Sequence, residues 1–486
     1  MDTINTFRKV IAVCMALLLL ICAVACSNGG SGGETSGGDV TVPPDSGRSS
    51  NVQAKDYDGY TFVFSDTELH LNKYDHKFPE IEADPTSDEA VEVAVYKRND
   101  YLRAKYNVEI VSDTELNIDN ILAAGDDVFD ASCNGPYETK SAVQNGFYLD
   151  LREYDSVFNF DEDWWWDASN SEIAYNGRYF QVTGDANIRS LGSVNVTFFN
   201  KVVLEDFAGN ADLYGLVDSG EWTFDKMLEI ARPVGLDLNG DSVYDETDRY
   251  GFANNNFGVI AYFYSQGCRF ITKDDDGEVV FSYGDKKQVE VLTKIVEVLN
   301  DTRYTLYGEK YKNLMDNGRV LVGQAAFAED RALFTTDLMS RGLLMRAIEQ
   351  DYGILPMPKY DTNQKEYIQY LHGNSSFMSV PYTCSDPDRS ARILEDMTFY
   401  STDTVRDAYT EILVKEKMAR DENSKRMVDI IYSCVTFDMG YFGIGSMDGD
   451  LRGMADRNDT NFTSFFASKS KLWERTLSNY LKAFEK

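Results

Sequence analysis

Residues 60–137 constrain the fold class more than any other stretch of the chain. Tyr60-Thr61-Phe62-Val63-Phe64 is a β-like run set off by the Asp58-Gly59 turn. Glu89 to Tyr106 reads as a helix, because Val91, Val95, Leu102 and Tyr106 recur at helical spacing with Lys97, Arg98 and Lys105 between them. Val108-Glu109-Ile110-Val111 is a second strand. Phe129-Asp130-Ala131 is a third, running into the loop Asn134-Gly135-Pro136-Tyr137. Strand, helix, strand in that order predicts an α/β fold.

A second stretch has the same character. Arg178 to Val182 is extended after the Asn176-Gly177 turn, and Val194 to Phe199 alternates as a strand. Trp222-Thr223-Phe224-Asp225 opens a helix with Thr223 as N-cap. Asp276-Gly277 is a hairpin turn between Ile271 and Phe281, and Lys286 to Leu299 is helical. Tyr352 to Leu355 is a strand ended by Pro356. Asp386-Pro387 pairs an N-cap with proline at the first helical position. Thr402 onward and Ser468 to Phe484 also read as helices.

The first 55 residues are of another kind. Arg8 and Lys9 lead into an apolar run, Val10 to Val24, shorter than the roughly 20 residues needed to span a bilayer. A basic start, a short apolar core and small residues before a break form a secretory signal. Ala23-Val24-Ala25-Cys26 resembles the lipobox of bacterial lipoproteins. That resemblance implies that residues 1–25 are removed and Cys26 carries the lipid. The Gly/Ser/Pro-rich residues 26–55 would then be a flexible linker.

Composition excludes several functions. The formal net charge is −33, and such a surface repels nucleic acid, whose binding needs clustered Lys and Arg. There are only three histidines, His70, His76 and His372, and no HExxH, GxxxxGK[ST] or GxSxG motif. Gly443-Ile444-Gly445 lacks the strand–loop–helix context of a dinucleotide site. With 80 acidic residues, neighbouring carboxylates say nothing about glycosidase chemistry. Cys133, Cys268, Cys384 and Cys434 are widely spaced; two disulfides and free buried thiols are both open.

Two clusters carry chemistry. In Asp237-Leu238-Asn239-Gly240-Asp241-Ser242-Val243-Tyr244-Asp245-Glu246-Thr247-Asp248, oxygen side chains fall at positions 1, 3, 5, 9 and 12. Val243 at position 7 offers a carbonyl, which completes the ligand spacing of a calcium loop. A structural Ca2+ held by Asp237, Asn239, Asp241, Val243, Asp245 and Asp248 is therefore the expected cofactor, with no organic cofactor. The loop departs from the EF-hand pattern at Ser242 and Asp248 and looks more like a dockerin loop; a solvated acidic turn is the alternative. Trp164-Trp165-Trp166 supplies flat faces of the kind that stack on sugar rings, although at least one of three adjacent tryptophans must point into the core.

Several ordered stretches carry a wider resemblance. They are Asn176-Gly177-Arg178-Tyr179-Phe180, Phe198-Phe199-Asn200-Lys201, Trp222-Thr223-Phe224-Asp225, Gly323-Gln324-Ala325-Ala326-Phe327, Tyr352 to Lys359, and Gly373-Asn374-Ser375-Ser376-Phe377. In that order they resemble the extracellular solute-binding proteins of ABC importers, in the carbohydrate-binding group that includes maltodextrin-binding protein. The resemblance covers most of residues 56–486. It implies a two-lobe, periplasmic-binding-protein-like (type II) α/β fold with hinge crossings near Gln181–Asp185, Tyr370–Ser375 and Phe437–Gly445. It further implies a first lobe of 56–182 and 373–440, a second lobe of 183–372 containing the acidic loop, and C-terminal helices 441–486 on the second lobe. Ligand contacts are expected from Asn134, Tyr137, Trp165, Trp166, Asp185, Asn256, Phe257, Glu329, Asp330 and Asn374. Some relatives carry a tryptophan near the place of Glu329-Asp330, so their sugar subsites do not transfer.

The implied function is capture without catalysis. A lipid-anchored, monomeric subunit on the outer face of a Gram-positive cytoplasmic membrane would bind an oligosaccharide and hand it to permease subunits. A peptide or polyol ligand is the alternative within that reading. A cell-surface glycan enzyme and an adhesion protein are alternatives outside it.

Overall fold

The computed structural model describes residues 48, 50–66, 78–274, 278–313, 318–343, 345, 349–441 and 447–485. The residues 1–25 read as a secretory signal, Cys26, the 276–277 turn and Gly443-Ile444-Gly445 lie outside the described residues.

Two sheets organise the chain. The first has the order β12-β3-β1-β2. Strand β1 (Tyr60–Ser65) pairs in parallel with β2 (Val108–Asp113), Phe62 opposite Ile110, and also in parallel with β3 (Ala131–Asn134). The helix Ala90–Tyr106 makes the crossover from β1 to β2 and buries Val91, Val95, Leu102 and Tyr106, the stripe the periodicity picks out. Strand β12 (Phe377–Ser379) closes the sheet antiparallel to β3, Phe377 opposite Asn134. Phe62, Phe64, Ile110, Met378, Ile393 and Met397 fill the core of this lobe.

The second sheet has the order β10-β4-β9-β5-β8. Strands β5 (Tyr250–Asn254), β8 (Thr305–Tyr307) and β9 (Ala332–Leu338) run parallel. Strands β4 (Asn195–Asn200) and β10 (Tyr352–Leu355) complete the sheet, β4 antiparallel to both β9 and β10. The helices Phe257–Ser265 and Lys286–Asn300 cover it. The hairpin β6 (Ile271–Lys273) and β7 (Val279–Phe281) pairs antiparallel, Thr272 opposite Val280.

Crossing segments join the lobes. Val182 exchanges both backbone bonds with Met378, 3.0 and 2.7 Å, so the first crossing leans on β12. Strand β11 (Gln369–Tyr370) lies parallel to β13 (Val435–Thr436), which sets the second crossing beside the third. Elsewhere Tyr175 Oη donates to Glu278 of the hairpin at 2.9 Å. Arg178 donates to the Phe484 carbonyl at 3.0 Å, and Phe484 packs edge-on against Tyr175 and Phe180.

Two boundaries differ from those the sequence suggests. The helix Glu422–Ser433 belongs with the second sheet, because Ser424 Oγ accepts from the Ile354 N–H at 3.2 Å and Asp421 pairs with Lys201 at 2.6 Å. Residues 373–440 therefore do not all stay with the first lobe. Residues Lys482–Glu485, expected on the second lobe, return to the first through Phe484.

The helix predicted from Thr402 is also not a simple α-helix. Pro387–Ser401 is α-helical, with Asp386 Oδ1 accepting from the Arg389 N–H at 3.1 Å as N-cap. Thr402–Arg406 and Ala408–Met418 then wind as π-helix. The hydroxyls of Thr398, Ser401, Thr404 and Thr410 each donate to the carbonyl four residues back, at 2.6–2.9 Å. Such back-bonding loosens the α-ladder and favours the wider turn. Among the described residues no helix is long and apolar enough to cross a membrane. Cys133, Cys268, Cys384 and Cys434 are free thiols.

Candidate functional site

Open α/β sheets bind ligands outside the carboxyl ends of their strands. In the second lobe those ends are the residues after β5, β8 and β9. Strand β5 runs into Asn254, Asn255 and Asn256, and Asn255 Oδ1 accepts the Phe257 N–H at 2.9 Å, starting the helix Phe257–Ser265. Strand β8 ends at Tyr307, whose hydroxyl donates to Asp456 at 2.7 Å. Asn256 Nδ2 donates to the same carboxylate at 3.2 and 3.3 Å. Past β9, Arg341 pairs with Asp337 at 3.3 Å.

The second crossing delivers His372 to this edge. Its ring meets Phe257 with centroids 5.5 Å apart, and the Arg452 guanidinium lies 4.7 Å over the Phe257 face. His372 Nδ1 accepts the Asn374 N–H at 3.1 Å, so Nε2 carries the proton of the neutral ring. Burial, with Arg341 and Arg452 nearby, pushes the imidazole down to about 3. The result is a patch of amide, carboxylate, phenol, imidazole and guanidinium groups around one aromatic face. Such a mixture of donors, acceptors and an aromatic face is the kind of lining that suits a polar ligand.

In the first lobe the edge is built around Arg189. Its side chain donates to Glu80 at 2.6 Å, Asp66 at 3.0 Å and the Cys133 carbonyl at 2.5 Å. Ser376 Oγ donates to Glu80 at 2.5 Å. This buried network locks the ends of β1, β3 and β12 to the first crossing.

The residues picked from sequence divide accordingly. Asn256, Phe257 and Asn374 come together at the second-lobe edge and the crossing beside it. Tyr137 lies past β3 in the first lobe, 43% exposed at the start of the helix Pro136–Gln144. Asn134 is fully buried and spends its amide on the Ser65 carbonyl at 2.9 Å, so it fixes β3 to β1 rather than facing a ligand.

Trp165 is corrected to core. Its indole N–H donates to Glu395 at 2.8 Å, beside the Trp164 N–H at 3.1 Å, and its ring packs on Phe158 and Phe160. Trp166 donates to Asp185 at 3.0 Å, and Asp185, fully buried, also accepts from Thr402 and Arg406. That pair braces the first crossing against the π-helix. Glu329 and Asp330 are corrected as well: they precede β9 and so lie at the amino edge of the sheet, away from the ligand edge. Asp330 there accepts from Asn200 at 2.7 Å, and Glu329 pairs with Arg331.

The acidic loop closes on itself. Asp237 accepts the N–H groups of Gly240 and Ser242 at 2.6 and 2.7 Å, Asn239 that of Asp241, and Asp241 that of Val243. Asp248 accepts from Leu238 and Asp245, both 2.9 Å. Among the described residues no group of three or more His, Cys, Asp or Glu is arranged to hold a metal ion.

Sequence reasoning missed Tyr307, Asp337, Arg341, Arg452 and Asp456. Only topology brings them together, and no local motif marks them.

No known family description matches the chain, and no curated protein sequence matches it. Solved structures do share its fold. A cyclo/maltodextrin-binding protein complexed with maltotetraose is 12% identical, with a TM-score of 0.52, covering 87% of this chain and 96% of that one. UspC of M. tuberculosis is 11% identical, with a TM-score of 0.51 and coverage of 87% and 100%. The ABC substrate-binding protein Lmo0181 of Listeria monocytogenes, solved with cycloalternan, is 10% identical, with a TM-score of 0.50 and coverage of 88% and 100%. The chain therefore has the two-lobe, periplasmic-binding-protein-like α/β fold.

Proposed function

We propose that this chain is the extracellular solute-binding subunit of an ABC importer and captures an oligosaccharide between its lobes without catalysis. The observation that carries the reading is the polar and aromatic patch Asn256, Phe257, Tyr307, His372, Arg452 and Asp456 at the carboxyl ends of the second sheet, beside the hinge crossings. The likeness to proteins solved with maltotetraose and cycloalternan supports a carbohydrate. Ligand contacts made with both lobes favour a closed state, and that state docks on permease subunits. Lipid attachment at Cys26 would hold the monomer at the outer face of a Gram-positive membrane.

The test is thermal melting of the purified protein against a panel of oligosaccharides, peptides and polyols. A ligand that binds only the folded form raises Tm in proportion to ln(1 + [L]/Kd). A rise with one sugar series supports the reading; a rise with peptides or polyols alone replaces the carbohydrate. Release of a shortened product from a labelled oligosaccharide overturns the non-enzyme reading.

A structural Ca2+ in the loop Asp237–Asp248 would use the carboxylate lone pairs that the loop's own N–H groups leave open, since an ionised carboxylate has about four acceptor sites. A Tm rise on adding calcium, reversed by chelator and absent in Asp241→Ala, checks that expectation.

A further inference from the structure

We infer that Asp456 is the anchor of the ligand site and that it selects an uncharged glycan by accepting hydroxyl groups; this rests on the solute-binding reading above. Asp456 is the last residue of the helix Met447–Asp456 and is solvent-exposed. A carboxylate there faces the negative end of the helix dipole, an unfavourable place for it. Among the described residues it makes no salt bridge, and Arg452, one turn back on the same helix, pairs with Asp448 at 2.8 Å. What holds it are two neutral donors from the carboxyl ends of two different strands: Tyr307 Oη at 2.7 Å and Asn256 Nδ2 at 3.2 and 3.3 Å.

These bonds fix the carboxylate from behind and leave further lone pairs for a ligand, since an ionised carboxylate has about four acceptor sites. Asn254 and Asn256 are 5% and 6% exposed, and among the described residues neither Oδ1 finds a donor. Buried acceptors left unpaired are costly. Asp456 is the acceptor at this edge that is open to a sugar hydroxyl, while the two amide oxygens are sealed from solvent. A uronate placed there would bring its carboxylate against Asp456, while Arg341 and Arg452 are paired with Asp337 and Asp448, so the geometry disfavours an acidic glycan.

The experiment measures binding by titration calorimetry with maltotetraose, cellotetraose and xylotetraose, and with trigalacturonate as the acidic counterpart. The proteins are wild type, Asp456→Ala, Asp456→Asn and Tyr307→Phe, each checked for native circular dichroism and Tm. Expected is binding of at least one neutral glycan and not of the uronate. Loss should be tenfold or more in Asp456→Ala and smaller in Asp456→Asn, which keeps one acceptor. Tyr307→Phe should weaken binding a few-fold without changing which glycan is preferred. Wild-type binding left unchanged in Asp456→Ala overturns the anchor while the solute-binding reading stands. Tighter binding of trigalacturonate overturns the ligand class. Binding of none of the four by wild type overturns the anchor and the oligosaccharide ligand together.

Discussion

Glu395 accepts the indole N–H groups of Trp164 and Trp165 from within the first lobe, and burial pushes its carboxyl up to about 7. The folded state thus holds the proton more tightly than the unfolded chain, whose carboxyl titrates near 4.5. Stability contributed by the protonated form is lost as pH rises between those values, on the order of 3 kcal/mol. Glu395→Gln removes this dependence, so the stability gap between wild type and variant, read by urea unfolding, should be narrower at pH 8 than at pH 5. His372 has the opposite sign. Its folded imidazole is depressed to about 3, so its contribution is full above 6.5 and fades as pH falls toward 3. Nitrogen-15 NMR at pH 5 should find it neutral with the proton on Nε2. That at least one tryptophan of the triplet points into the core was legible, but not which ones or their partner, because Glu395 lies some 230 positions away in sequence. Glu329-Asp330 was misplaced for a related reason: a residue number does not say which end of a strand faces the ligand.

The first crossing has little room. A Cβ on Gly184 would sit 2.5 Å from the Trp164 carbonyl oxygen and 2.6 Å from Thr398 Cγ2. Gly184→Ala should therefore cost roughly 1–3 kcal/mol, read as a fall in Tm. Elements with strong local signals were legible within a residue or two: β1, the helix Ala90–Tyr106, and the caps Thr223 and Asp386, whose side chains bond as expected. The π-helical turn was not, because its cause is a cluster of hydroxyls that also suits an ordinary helix. The acidic spacing was legible as a loop, and the loop is there, its carboxylates accepting its own N–H groups.

The formal charge of −33 loads the surface with repulsion. Screening shortens from about 30 Å at 0.01 M salt to about 10 Å at 0.1 M, so Tm should climb over that interval in sodium chloride. Ligand-driven closure predicts a smaller radius of gyration by X-ray scattering when a binding glycan is added. The two-lobe arrangement was readable from the order of several weak stretches. The ligand edge was only half readable, since Tyr307, Arg341 and Asp456 meet through the sheet order alone. That order also has a consequence in time. Strand β3 ends at Asn134, but its antiparallel neighbour begins at Phe377. At about 5–20 residues per second, a ribosome needs roughly 10–50 s to cover that interval. Throughout it the first sheet has an unmated edge, and the lobe begun first is among the last to be sealed.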